Sequence, residues 1–412
     1  MIPYAGFLYF GVLLYVALPA IVVRVMGLGI RGWILIATGA MLVVQYWDTQ
    51  TLWPEQVVHG FWIVAGYAAF EWLVASAFLR AKAMTAGAGP ESRASGTPPA
   101  LGGSASIHRR ALAAIALALT IAPLAMVKIL PTLTIDQPVG FLGISYVTFR
   151  CIDVVLLIED RLIASLSPSQ YLAYVLFFPT ISAGPIDRFR RFDRDWKRED
   201  ARAGLTSDLN EAVHRIFTGF FYKFIVAALV KRQWMDPAAA HVGLSHTLSY
   251  MYAYSVYLFF DFAGYSAFAV GVSYLFGIHA PDNFNRPFLA ENIRDFWNRW
   301  HISLSWWFRD HVYMRLMMAA TKGRWFANRH MASALALVVA FGLMGLWHGT
   351  QAHFIFYGLY HATLLVGYET FVRWNKRHQL WGEGPLWRLS GIALTFNAVC
   401  FGFLIFSGRL GL

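Results

Sequence analysis

The sequence predicts an all-α polytopic integral membrane protein, with about ten to twelve spanning helices plus re-entrant or amphipathic helices between them. Three observations carry this. Apolar residues make up 58% of the 412-residue chain and charged residues only 14%, where a soluble domain carries about 25% charged residues. The mean hydropathy is +0.49. Charges this sparse cannot cover a water-facing surface, which excludes an ordinary soluble enzyme, a disordered regulator and a secreted disulfide scaffold. The apolar residues are gathered into runs close to the ~20 residues a spanning helix needs. Finally, basic loops alternate with acidic or neutral ones.

The runs lie near 5–23, 32–47, 60–79, 111–130, 137–158, 213–230, 247–276, 331–347, 352–372 and 387–407. A shorter apolar piece, 170–182, reads as re-entrant, and 296–319 is rich in tryptophan but carries charges. Met1–Ala20 has no basic start and runs into further apolar sequence, so no cleavable signal peptide is expected. Cys151 and Cys400 both lie in apolar runs and read as small hydrophobes; no CxxC or Cys/His cluster suggests a metal. The segment 81–110 reads as a flexible cytoplasmic loop, because Ala81–Ser106 is rich in Ala, Gly and Ser and holds Pro90, Pro98 and Pro99. No internal repeat is visible, which argues against a transporter built on inverted repeats.

The charges give an orientation. Arg24 and Arg31 flank the first short loop, the 48–56 loop holds Asp48 and Glu55 with no Lys or Arg, and the 81–110 loop is basic again. The 131–138 loop, with Asp136, is not basic, whereas 187–202 carries Arg188, Arg190, Arg191, Arg194, Lys197, Arg198 and Arg202. The positive-inside bias then places the N-terminus outside and 187–212 on the cytoplasmic side. The net charge of +11 is read as topology and affinity for anionic membrane lipid, not for nucleic acid, because the basic residues flank apolar runs.

Three pieces are too polar for their surroundings, and a Lys, Arg or Asp at mid-membrane costs about 2.5–3.5 kcal/mol. In Gly143–Arg150 (GISYVTFR) the chain closes an apolar run on Arg150, which with Asp153 has the spacing of a buried i,i+3 ion pair; a snorkelling arginine is the alternative. In Asp295–Asp310 (DFWNRWHISLSWWFRD), projection at 100° per residue puts Asn298, His301 and Ser305 on one helical face; an interfacial aromatic belt is the alternative. In Gly342–Gly349 (GLMGLWHG), His348 ends a strongly apolar run, and Gly342, Gly345 and Gly349 allow close backbone approach. His353 and His361 follow at i+5 and i+13, too far apart in register to form a tight ligand cluster with His348.

A neutral imidazole can take a proton from a hydroxyl at neutral pH. Two histidines among hydroxyl and amide donors suit acyl transfer between a water-borne donor and a hydroxyl acceptor, with general-base help contributing about 10²–10⁴-fold. No GxSxG, HExxH or P-loop supports a serine nucleophile, a zinc protease or an ATP-driven pump.

At these residues the chain resembles the membrane-bound O-acyltransferases. Gly345–Gly349 with His348, and Phe296–Asp310 with His301, look like that family's two histidine motifs. Phe177–Arg188 (FFPTISAGPIDR) and Tyr257–Phe288 (YLFFDFAGYSAFAVGVSYLFGIHAPDNFNRPF) resemble two further family segments. The resemblance makes 140–365 the motif-bearing catalytic core of a single membrane domain over 1–412; the flanking runs match only in hydropathy. Two bacterial branches compete, D-alanyl transfer in teichoic acid modification and O-acetylation of an exported polysaccharide. The Gly184–Phe192 run (GPIDRFRRF), Ala267 after Gly264-Tyr265-Ser266, and His311–Leu316 after Arg309-Asp310 are similar to the first.

The resemblance implies helices around a central tunnel in the cell membrane and no bound cofactor. A D-alanyl thioester would arrive on the phosphopantetheine arm of a small acidic carrier protein docked on the cytoplasmic face, with Arg188, Arg190 and Arg191 as docking residues. His348 would be the essential histidine and would activate the acceptor hydroxyl directly. His301 would line the tunnel or help position the acceptor, with Asn298, Arg299, Ser305 and Trp347 around it. Another membrane or extracellular factor is a further expected partner. The long 81–110 segment departs from the compact bacterial pattern. Polysaccharide O-acetylation, a proton-coupled transporter using His348 and His301, and a purely structural scaffold stand as the other readings.

Overall fold

The described part of each of the ten apolar runs is mostly helix, because a backbone with no water to bond must satisfy its N–H and C=O groups within its own segment. The computed structural model describes residues 1–46, 60–86, 103–133 and 141–411. Among these the regular elements are helices, with one isolated antiparallel bridge between Phe284 and Trp300. The first five helices are α1 (Phe7–Val25), α2 (Arg31–Tyr46), α3 (Gly60–Ala86), α4 (Gly103–Leu133) and α5 (Ile144–Glu159). The short α6 (Pro168–Val175) and α7 (Phe189–Trp196) follow. Then α8 (Leu205–Phe220), α9 (Ala228–Val230) and α10 (Asp236–Ala239), joined by π-helical turns, make one rod of 35 residues. After α11 (Leu244–Leu275) come three short helices, α12 (Ile293–Arg299), α13 (Ile302–Phe308) and α14 (Met314–Lys322). The chain closes with α15 (Arg329–His348), α16 (Ala352–His378) and α17 (Pro385–Phe406).

Seven of these are long and apolar enough to cross a bilayer among the described residues: α1, α3, α4, the α8–α10 rod, α11, α15 and α17. Their exposed side chains include Leu8, Tyr15, Trp62, Ile115, Phe217, Leu343 and Leu394, an apolar exterior suited to lipid. Helices α2 and α5 have 16 residues each, and α16 carries Glu369, Arg373 and a basic last turn. The 170–182 piece folds as α6 and a 3₁₀ turn at Phe178–Thr180, buried apart from the half-buried Leu172. Helix takes both ends of the 81–110 segment expected to be a loop: α3 runs to Ala86 and α4 begins at Gly103. The alanines at those ends are strong helix formers, and helix started by the apolar run propagates through them. The rest of that segment, 87–102, lies outside the described residues.

The chain gathers into two compact units, one of residues 1–210 with 272–280 and one of 211–271 with 281–412. The first is knotted by buried charge. Arg150 on α5 is fully buried and donates to the carbonyls of Tyr174 (3.1 Å), Val175 (3.0 Å) and Thr180 (2.8 Å), and to the Thr180 hydroxyl. It thereby satisfies carbonyls that the end of α6 leaves without helical donors. The expected i,i+3 pair is replaced as the anchor of Asp153 by α7: Arg188 pairs with the carboxylate at 3.0 Å, and the Phe189 N–H donates to it at 2.9 Å. Asp153 thus sits at a helix N-terminus, where the dipole favours a negative charge.

In the second unit, α15 and α16 meet through glycines. A Cβ on Gly345 would lie 2.5 Å from the Phe354 carbonyl oxygen, and one on Gly358 would strike the Phe341 carbonyl. Gly349 is equally tight against Phe354 and Gln351, whereas Gly342 faces open space. Of the three glycines expected to admit a neighbour, Gly345 and Gly349 do so and Gly342 does not.

Candidate active site

The site grows from a break in a helix. Asn292 caps α12, its Oδ1 accepting from the Asp295 N–H at 2.9 Å. The helix ends at Arg299; Trp300 is extended, and His301 adopts φ 42°, ψ 51°, the left-handed region. A non-glycine residue there costs of order 1 kcal/mol or more and persists only when its surroundings hold it. Those surroundings are the Asn283–Asn285 segment. The Asn283 carbonyl accepts from the Ile302 N–H (2.9 Å), its side-chain oxygen accepts from the Ser303 hydroxyl (2.6 Å), and its amide donates to Ser266 (3.1 Å). The Asn285 N–H donates to the Arg299 carbonyl at 2.9 Å. Backbone bonds that would have continued α12 go to this segment, so α13 restarts in a new direction.

That break corrects the expected polar stripe. Asn298 is exposed on α12, on the far side of the break from Ser305 on α13. The Ser305 hydroxyl donates to the Trp300 carbonyl (3.2 Å), which ties down the turn. Arg299 pairs with Asp295 one turn back at 2.8 Å. These residues do not form one face with His301, because the 100° projection assumes a helix that Trp300 and His301 leave.

His301 is 4% exposed. Its ring packs edge-on against Phe262 (4.8 Å between centroids), and neither ring nitrogen has a hydrogen-bond partner among the described residues. It lies outside the seven spanning helices. Burial pushes its pKa down to about 3, and the nearby His348 adds to the effect, so the ring is uncharged at neutral pH. His348 ends α15, half-buried, with its ring against Trp347 (4.5 Å), Phe406 (4.9 Å) and Tyr357 (6.0 Å). Trp347 also reaches His301, at 6.5 Å. The structure therefore brings His301, Trp347 and His348 together.

Sequence reasoning missed the residues that surround them. His361, two turns into α16, is 0% exposed, and Trp297 on α12 packs edge-on against it at 5.0 Å. Tyr357, one turn before His361, touches both it (4.7 Å) and His348. The i,i+4 spacing of Tyr357 and His361 on the helix after the His348 motif is the signal that could have found them. Asn283 and Ser266, quoted only as parts of motifs, build the break.

The three arginines expected to dock a carrier sit in the first unit. Arg188 is held by Asp153, Arg191 by the buried Asp187 at 2.7 Å, and Arg190 is exposed. Among the described residues no three His, Cys, Asp or Glu side chains gather as a metal site.

Comparison with known proteins identifies the family of the chain. The model of the membrane-bound O-acyltransferase family matches residues 133–407. The teichoic acid D-alanyltransferase of Bacillus subtilis strain 168 is 46% identical over 70% of this chain and 76% of its own length. That of Streptococcus thermophilus is 41% identical over 71% and 74%. The probable alginate O-acetylase AlgI of Azotobacter vinelandii is more distant, at 31% identity over 54% and 43%. With seven apolar helices long enough to span among the described residues and a family match over most of its length, this chain is a multi-pass membrane acyltransferase and belongs to the membrane-bound O-acyltransferase family.

Proposed function

We propose that this protein moves a D-alanyl group from a carrier-protein thioester to a hydroxyl acceptor, for D-alanylation of a teichoic-acid-type polymer at the cell membrane. The observation that carries the reading is the convergence of His301 and His348 on Trp347, within a chain whose relatives at 41–46% identity are named teichoic acid D-alanyltransferases. The donor is a thioester on the phosphopantetheine arm of a small acidic carrier, docked on the cytoplasmic face. Arg190 is the exposed docking residue of the three named arginines; Arg188 and Arg191 hold the surface in shape through Asp153 and Asp187.

In the transfer, a neutral His348 takes the proton of the acceptor hydroxyl as its oxygen attacks the acyl carbonyl. A C–O bond forms and the C–S bond breaks. The thiolate leaves and takes the proton back from His348, so that atoms and charge balance without an acyl-enzyme. His301, uncharged, offers one N–H and one lone pair and orients the reacting groups. Most of the remaining acceleration comes from holding carbonyl and hydroxyl together.

The test is mass spectrometry of envelope polymers from cells with and without the protein, beside cells carrying His348→Ala. D-alanyl esters present only with the intact protein support the reading. Acetyl esters instead would replace it with polysaccharide O-acetylation, and unchanged polymers would remove it.

A further inference from the structure

His361 is, with His301, one of two histidines of the second unit that are buried with neither ring nitrogen bonded among the described residues. It is 0% exposed, and among the described residues neither of its ring nitrogens has a hydrogen-bond partner, nor has the indole N–H of Trp297, itself 6% exposed. Buried polar atoms are almost always paired, and an unpaired one costs about 1–3 kcal/mol. Two such groups in contact at 5.0 Å mark a place where a ligand supplies the missing partners. Its chemistry can be read from theirs. An indole offers one donor; an uncharged imidazole offers one donor and one acceptor. No carboxylate or cationic side chain bonds to either ring among the described residues, so the place suits neither an ammonium nor a phosphate or carboxylate. A secondary amide, with one C=O and one N–H on opposite edges, matches: its oxygen accepts from Trp297 and its N–H donates to His361.

Position says which amide. On α16, Tyr357 touches His348, and His361 lies one turn, about 6 Å, further toward the end bearing Lys376, Arg377 and His378. On α12, Trp297 precedes His301 by one turn in the same sense, since Arg294 pairs with Glu369. Arg373, hydrogen-bonded to His330 near the start of α15, adds to this basic end, which the positive-inside bias puts in the cytoplasm. A thioester arm coming from that side meets Trp297 and His361 before His301 and His348.

Resting on the carrier-thioester reading above, we propose that Trp297 and His361 form a binding station for a secondary amide of the pantetheine arm, which sets how far the thioester advances toward His348.

The purified, membrane-reconstituted protein tests this with two small D-alanyl thioesters, one of N-acetylcysteamine, which keeps the arm's terminal amide, and one of butanethiol, which has none. Two hydrogen bonds should make kcat/KM about tenfold higher for the amide donor in the unaltered protein. His361→Phe and Trp297→Phe should each bring that ratio to within about twofold, acting on the amide donor alone, and His361→Gln, which keeps a donor and an acceptor, should restore part of it. Trp297→Phe keeps an aromatic ring in the core and serves if His361→Phe does not fold. A tenfold ratio that survives in the folded variants, or no preference in the unaltered protein, overturns the station and leaves the acyltransfer reading standing. Failure of the unaltered protein to use either thioester overturns that reading, and the station with it.

Discussion

Two histidines of this chain sit in opposite worlds. His279, in the first unit, lies in the loop after α11 between two carboxylates: its Nδ1 is 3.1 Å from Asp195, its Nε2 2.9 Å from Asp208, and its backbone N–H donates to Asp195 at 2.9 Å. Arg24, 1% exposed, closes the knot on Asp208 at 2.6 Å, with Arg198 beside it. Those hydrogen bonds to Asp195 and Asp208 raise its pKa to about 9. His301, in the second unit, has no hydrogen-bond partner for either ring nitrogen among the described residues, and burial lowers its pKa to about 3. A histidine whose nitrogens are both bound to carboxylates builds structure; a buried one whose nitrogens no described side chain claims is available to chemistry.

The largest expected effect lies on the open side of this contrast. His348→Ala should lower transfer by at least about 10²-fold, the low end of general-base contributions, in protein that still inserts and folds. Measuring D-alanyl transfer per folded molecule checks it. Full activity in that variant would mean that the convergence of rings around Trp347 is packing alone.

The closed side predicts a stability effect instead. His279 is protonated well above its ordinary pKa of 6.5, so its contribution is complete below about pH 6.5 and is lost as pH rises through about 9. A shift of this size bounds the contribution at about 3 kcal/mol, less for a loop partly open to solvent. The melting temperature should therefore fall across that window. His279→Gln should flatten the fall while leaving transfer per folded molecule unchanged. A His279→Gln protein whose melting temperature still falls between these limits would put the pH sensitivity elsewhere.

How much of this was legible before the structure depends on how local the cause is. Hydropathy is a property of a segment, so the described part of every apolar run is mostly helix. The break at His301 has a non-local cause: the residues that interrupt α12 are Asn283 and Asn285, and no helical projection of 295–310 contains them. Asp153 has the same lesson, since the cation and N–H that hold it come from α7 rather than from one turn away. His361 was visible but was weighed as a metal ligand, a question about clusters of donors. Its character lies in what does not touch it.

Asn283→Ala separates the break from the histidine it positions. It removes the side-chain bonds to Ser303 and Ser266 and leaves the backbone bond to Ile302. The left-handed His301 then loses part of its support, and kcat should fall by roughly tenfold, about 1.4 kcal/mol, with the KM for the donor little changed. A full tenfold loss appearing in KM would place Asn283 at the substrate instead.

The smallest effects come from two glycines. A Cβ at Gly402 would lie 2.6 Å from Nε2 of His361 and 3.3 Å from the Tyr360 ring. No hydrogen bond from the described residues holds the His361 ring in place, so the ring can yield, and Gly402→Ala should cost about 1 kcal/mol of stability, the low end for overpacking. The displaced imidazole should also narrow the preference for an amide-bearing donor. Gly342 meets nothing within 4 Å, and Gly342→Ala should gain up to about 1 kcal/mol from helix propensity with that preference unchanged. Both substitutions add one methyl group to a spanning helix, so only the neighbour differs. Equal effects on the donor ratio would show that His361 takes no part in reading the donor.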